Sequence, residues 1–118
     1  MADAGLFIGW GEVVRGREDR ALDVFNETLE LYGQMQSDGR IEGMDVTLLD
    51  AHGGELGGFF LVHGSAEQCA ALQYDEEFRR AVIDASLIVD DVGVVPAATG
   101  EGVGPEMAMY GEAVGKLG

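Results

Sequence analysis

His52 and His63 are the chain's two histidines, and histidine is the side chain whose ordinary titration lies near neutral pH, so proton transfer is sought there first. His63 ends an apolar run, Phe59-Phe60-Leu61-Val62, and carboxylates stand on neighbouring extended segments at Glu42, Asp90 and Asp91. A carboxylate beside an imidazole fixes its tautomer and orients it as a general base. The candidate catalytic set is therefore His63 with Asp90 or Asp91, or with Glu42. A solvated histidine at a strand end is the plain alternative.

Asp90 and Asp91 break an apolar stretch, and consecutive strand residues point to opposite faces. One would face the helices or a cleft and need Arg15, Arg17, Arg79 or Arg80 as partner; the other would face the far side of the sheet or its rim. Charges that block extension of an edge strand would look the same in sequence. Two side chains pointing apart do not make the paired carboxylates of glycoside hydrolysis.

The stretch Asp50-Ala51-His52-Gly53-Gly54-Glu55 offers oxygen and nitrogen donors of the kind zinc or manganese accepts. A glycine-rich hairpin loop explains the same residues, so no metal site is assigned. Phe7, Trp10, Phe25, Tyr32 and Phe60 are the candidate wall of a site for an apolar or aromatic ligand, although a core would use the same rings. Tyr74 and Tyr110 add phenols with no fixed place. Cys69 lacks an evident catalytic partner and reads as a buried small side chain. Gly9-Trp10-Gly11 and Gly100-Glu101-Gly102-Val103-Gly104 lack the spacing and lysine of a phosphate loop, so no cofactor is assigned.

These groups are held by alternating extended and helical segments. Residues 5–10 read as a first strand. Residues 17–36 carry Ala21, Phe25, Leu29 and Tyr32, then Met35 or Gln36, at helical spacing, with Leu22 and Val24 widening the face and Ser37-Asp38-Gly39 closing the helix. Met44, Val46 and Leu48 alternate with polar neighbours within 40–50, and a hairpin returns through 57–64. Ser65 and Gln68 form a capping box for a short helix ending at Leu72. Asp75 caps a second piece over 76–85, where Glu76 and Arg80 are spaced to pair. A fourth strand is expected over 87–96, ended by Pro96. Residues 97–118 read as a glycine-rich, loop-like C-terminal arm with Met107, Met109, Tyr110 and Val114 as anchors, so the division is 1–96 domain and 97–118 arm.

The order β-α-β-β-α-β predicts an α+β, ferredoxin-like sandwich with an antiparallel four-stranded sheet and two helices on one face. Leu49, Phe59, Leu61, Ile88, Val92 and Val94 cannot all face those helices by strand alternation, so the second face needs an apolar cover. A face-to-face homodimer supplies one; the arm, folded back, supplies another.

Composition narrows the function classes. Apolar residues at 47% suffice for a core, which excludes an entirely disordered chain. A formal charge of −15 opposes binding to nucleic acid and to anionic membranes. The acidity equally fits a solubilising surface. One cysteine allows no internal disulfide, and with no signal-peptide pattern and no apolar run long enough for a membrane span the expected location is cytoplasmic.

The element order, the doubly apolar sheet, and Gly57-Gly58-Phe59-Phe60-Leu61-Val62 followed by Ser65 and a helix carrying Phe78-Arg79-Arg80 resemble the dimeric α+β barrel superfamily. That superfamily includes YCII-related, antibiotic biosynthesis monooxygenase-like and stress-responsive barrel proteins. The resemblance spans residues 6–96. It implies a homodimer and a cleft between sheet and helices. The first expectation is an uncharacterised dimeric domain binding a small organic ligand. The alternatives are a cofactor-independent YCII-like or monooxygenase-like enzyme using His63 with Asp90 or Asp91, and a non-catalytic interaction module.

Overall fold

A computed structural model describes residues 2–118. The elements are β1 (Ala4–Trp10), α1 (Glu18–Ser37), β2 (Gly43–Leu48), β3 (Gly58–Gly64), α2 (Ala66–Leu72), α3 (Glu76–Ser86), β4 (Gly93–Ala98), a single 3-10 turn (Gly100–Gly102) and α4 (Val103–Gly115). The strands form one antiparallel sheet in the order β2-β3-β1-β4, the ferredoxin-like arrangement.

Local chemistry sets the helix starts. Ser65 accepts the Gln68 amide at 3.1 Å while the Gln68 side chain accepts the Ser65 amide at 2.8 Å, the reciprocal box expected for α2. Asp75 accepts the Phe78 amide at 3.0 Å and starts α3. Glu76 and Arg80 pair at 2.7 Å one turn apart. The turn after α1 uses Gly39 at φ +84°, a conformation glycine adopts without penalty.

Arg40, just past that turn, bonds Asp38 at its own end of α1 and both Asp75 and Glu77 at the start of α3. The Arg40 hydrogen bond holds the Asp38 carboxyl below its ordinary range. Burial by itself would raise Asp75, but the Phe78 amide and Arg40 together hold it below the usual value. The cluster thus ties the start of α3 to the end of α1.

Alternation along the strands sorts the sheet into two faces. Leu6, Ile8, Phe60 and Val62 point into the helix layer, where they bury with Tyr32, Met35, Ile41, Cys69, Leu72 and Phe78. A second buried group, Ala21, Val24, Ile88 and Val89, fills the end of the layer where α1 begins and α3 ends. The buried line of α1 runs Ala21, Val24, Thr28, Tyr32, Met35, so its centre lies on Val24 and Thr28, with Phe25 and Leu29 to one side.

Three expectations are corrected. The fourth strand does not start at residue 87: the end of α3 continues as a turn in which the Leu87, Ile88 and Val89 amides bond back to Asp84 and Ala85. An apolar run that packs as a helix end and one that packs as a strand look alike in sequence. Pro96 does not end the ladder, which continues to Ala98 opposite Ala4, because β4 is an edge strand. Residues 97–118 are likewise no loop, since Ala97 and Ala98 complete β4 and most of the remainder is α4. Among the described residues no helix is long and apolar enough to cross a membrane.

Candidate functional site

α1 and α3 do not close fully over the end of the sheet that holds Trp10. Between them lies a half-open cavity of about 500 Å³. Interiors normally leave voids little larger than a water molecule, so a space of this size is not a packing remnant. Its wall includes Ile8, Trp10 and Phe60 from the sheet and Phe25 from α1, with Val82, Ala85, Ile88 and Val89 from α3 and the turn after it.

Trp10 and Phe60 lie 5.3 Å apart between centroids, Phe25 and Phe60 5.7 Å, and Tyr32 meets Phe60 edge-on at 5.1 Å. Four of the five aromatic residues expected to line a site are therefore brought together. Phe7 is the exception. It lies on the opposite face of the sheet, 5.1 Å from Phe59. Its odd spacing from Leu6, Ile8 and Trp10 was the available sign, since adjacent strand positions alternate.

Besides the Trp10 indole N–H, three lining side chains among the described residues, Thr28, Tyr32 and Glu18, carry polar atoms. Thr28 donates to the Val24 carbonyl one turn back at 2.7 Å, so its hydroxyl proton is committed and what it retains is acceptor capacity. Burial pushes the Tyr32 phenol above its ordinary pKa, so it stays protonated as a neutral hydroxyl. Glu18, exposed near the start of α1, accepts the Gly16 amide at 2.9 Å and supplies the one carboxylate in the lining. Thr28 and Glu18 were not singled out in the sequence; Thr28 was detectable as a polar residue within the buried helical line.

The proposed catalytic set is not brought together. His63 opposes Gly5 on β1 and Gly43 on β2, on the face away from the helices. Asp90 and Asp91 lie in the loop before β4, at the far end of β1, where the Gly11 amide bonds the Asp90 carbonyl. The six residue steps from Gly5 to Gly11 put roughly 20 Å between that loop and the imidazole. Asp91 adopts φ 58°, which a strand position would not. Glu42 meets His63 through the backbone, its amide bonding the His63 carbonyl.

His63 Nε2 instead lies 2.7 Å from Asp45, two positions along β2 from Gly43 and therefore on the same face. The diagonal contact follows from a register that sequence alone left open. An imidazole here has the sheet between it and the cavity, so it cannot act on a molecule held against Trp10.

His52 closes its own loop: the Gly54 amide donates to Nδ1 at 3.2 Å, and Nε2 donates to the Leu56 carbonyl at 2.8 Å. Both ring nitrogens are engaged, and among the described residues no three His, Cys, Asp or Glu side chains converge as metal ligands. Cys69 is buried, and burial pushes its thiol pKa up, away from the reactive thiolate.

The far face of the sheet carries Phe7, Phe59, Leu61 and Val95, with Thr47, Asp45 and His63 along its β2 side. Of the residues expected there, Phe59 and Leu61 are present, whereas Ile88, Val92 and Val94 pack on the helix side. Both faces are thus apolar, and among the described residues no helix covers this one.

No family model and no curated protein matches the chain. A solved structure does: a dimeric protein of unknown function and ferredoxin-like fold from Bacteroides fragilis, with TM-score 0.60 and 12% identity over 81% of this chain and 96% of that one. The fold is shared. At that identity the likeness carries architecture and no activity, and the more specific resemblance to YCII-related or monooxygenase-like proteins receives no support from it.

Proposed function

We propose that this chain is a homodimeric ferredoxin-like domain that holds a small apolar or aromatic molecule in the cavity between α1, α3 and the sheet. The cavity itself carries the reading. Its volume of about 500 Å³ falls within the range of ordinary small-molecule sites, and an apolar lining with a few polar atoms is their usual composition. Thr28 and Tyr32 offer hydroxyl oxygens rather than charges, and the chain's −15 formal charge disfavours anions. The favoured ligand is therefore neutral or cationic, flat enough to lie against Trp10 and Phe60.

Self-association rests on separate support: an uncovered apolar sheet face, and a fold neighbour that is a dimer. Residues 97–118 then form an arm on the domain, with Ala97 and Ala98 retained in the sheet. The enzyme alternative loses its drawn geometry, because His63 neither meets Asp90 or Asp91 nor opens to the cavity.

Trp10 is the chain's single tryptophan and stands in the cavity wall, so its fluorescence reports an occupant directly. Titration with N-phenyl-1-naphthylamine, a neutral aromatic probe, is expected to quench Trp10 with one site per chain. Ala85→Phe, which places a ring in the cavity, is expected to weaken the probe by about tenfold or more. No quenching, or equal affinity in the variant, would remove the binding reading.

A further inference from the structure

α4 is the part of the molecule that the fold leaves unexplained. Every residue from Val103 to Gly118 is exposed, including Met107 at 61%, Tyr110 at 65% and Leu117 at 89%. The chain's radius of gyration is 16.1 Å, against the ~13.5 Å expected of a compact domain of this length. The helix has 13 residues, at the limit of about 12–15 below which isolated helices are marginal in water even when rich in alanine. Gly104, Gly111 and Gly115 weaken it further, and it has no side-chain cap at its start. Such a helix needs a surface to lie on.

Its sequence supplies the matching face. Val103, Met107, Tyr110 and Val114 follow steps of four, three and four, and Leu117 in the next turn extends the line by three. That is the narrow apolar seam by which one helix packs on another body. Two such heptads are too few for an autonomous coiled coil, so the contact must be joined to another.

The other contact is at hand. α4 leaves from the edge where β4 ends, with Gly102 against Asp3 and Thr99 against Gly5, at the His63 end of the open sheet face. That face is small: four strands about 4.8 Å apart and some six residues long make a patch of only roughly 400 Å². A standard stable interface buries about 800 Å² on each partner. Side-chain relief adds to that flat footprint, but the sheet face by itself stays at the small end of stable contacts.

We propose that α4 is a dimerisation arm, its seam of Met107, Tyr110, Val114 and Leu117 laid on a second copy of this chain and continuous with the sheet-to-sheet contact. This rests on the homodimer reading above and assigns to α4 the area that the sheets lack. A basic partner drawn to the chain's acidic surface is disfavoured as the occupant because the seam itself is uncharged.

The test compares full-length chains by sedimentation equilibrium from nanomolar to tens of micromolar concentration. Met107→Glu with Val114→Glu alters only exposed positions, so the domain should stay folded by circular dichroism while the dimer dissociation constant rises about tenfold or more. Leu61→Glu on the sheet face is expected to dissociate the dimer as well. A monomeric unaltered chain would overturn the homodimer reading and this proposal together. A dimer whose affinity is unchanged by the α4 substitutions but lost with Leu61→Glu would overturn the arm alone. Hydrogen exchange gives an independent readout: α4 amides should be protected in the dimer and unprotected in dilute monomer, and protection already present in the monomer would mean that the helix docks on its own chain, which also overturns the proposal.

Discussion

The two faces of the sheet are built from similar residues and meet opposite fates. On one, Trp10 and Phe60 sit beneath α1 and α3 and join Phe25, Tyr32 and Phe78 in a continuous aromatic cluster. On the other, Phe7 and Phe59 touch each other and little else of comparable size. Identical chemistry is core on one side and surface on the other because only one side has a layer above it. The covered side also fails to fill its space, leaving the cavity, so each face points to something beyond the single chain: a small ligand on one side, a second copy on the other.

The sharpest way to break that comparison is to truncate the same residue type on both faces. Phe60→Ala removes a ring that is 4% exposed and should cost about 3–5 kcal/mol in urea unfolding. Phe59→Ala, measured in dilute monomer, should cost less, about 1–2 kcal/mol, since its ring is only partly buried in the single chain. Equal losses would mean that the open face is as well packed as the core and that no second copy is called for. A larger loss for Phe59→Ala at high protein concentration than at low would sharpen the distinction.

The helix layer itself depends on the cap at the start of α3. Asp75→Ala removes both the acceptor of the Phe78 amide and one partner of Arg40. It is expected to destabilise the fold by about 1–2 kcal/mol, read from the urea midpoint at unchanged slope. Because α3 forms one wall of the cavity, binding of the naphthylamine probe should weaken in parallel, whereas the open face should be indifferent.

Acid should act on the same cluster. Asp38 and Asp75 both have carboxyl pKa values below their ordinary range when folded. Their contribution is therefore complete above the unfolded carboxyl pKa of about 4 and is lost as pH falls through the lower folded values. A plot of Tm against pH should fall on the acid side of about pH 4, and Arg40→Gln should flatten that limb by removing the cation both carboxylates share. An unchanged slope in the variant would show that other acids govern the acid transition.

How much of this was legible depended on the range over which each feature is decided. The capping box of Ser65 and Gln68, the Asp75 cap, the Glu76 and Arg80 pair and the hairpin are settled within a few residues, and the β-α-β-β-α-β order followed from them. The partner of His63 depended on which residue of β2 faces which of β3, and the residue at stake, Asp45, had been counted only as a polar alternate between Met44 and Val46. Asp90 and Asp91 mislead for a related reason: the run from Leu87 to Val95 is apolar on either side of them, but its first part belongs to the helix layer and the acids mark the turn between. In α4 the glycines hid the period of Val103, Met107, Tyr110 and Val114, since glycine argues locally against a helix whose packing surface lies elsewhere.

The smallest expected effect concerns the one polar pair on the open face. His63 and Asp45 lie 2.7 Å apart, with the Asp45 side chain 71% exposed in the single chain. A pair in that much water is worth at most about 1 kcal/mol, so Asp45→Asn should leave monomer stability almost unchanged. If a second sheet covers this face, water is withdrawn from the pair and the same substitution reaches two partners at once, each leaving an imidazole with a poorer acceptor. The dimer dissociation constant should then shift by a few fold while dilute-chain unfolding does not move. A shift in neither would place the pair outside the contact and confine the buried strip to Phe7, Leu61 and Val95.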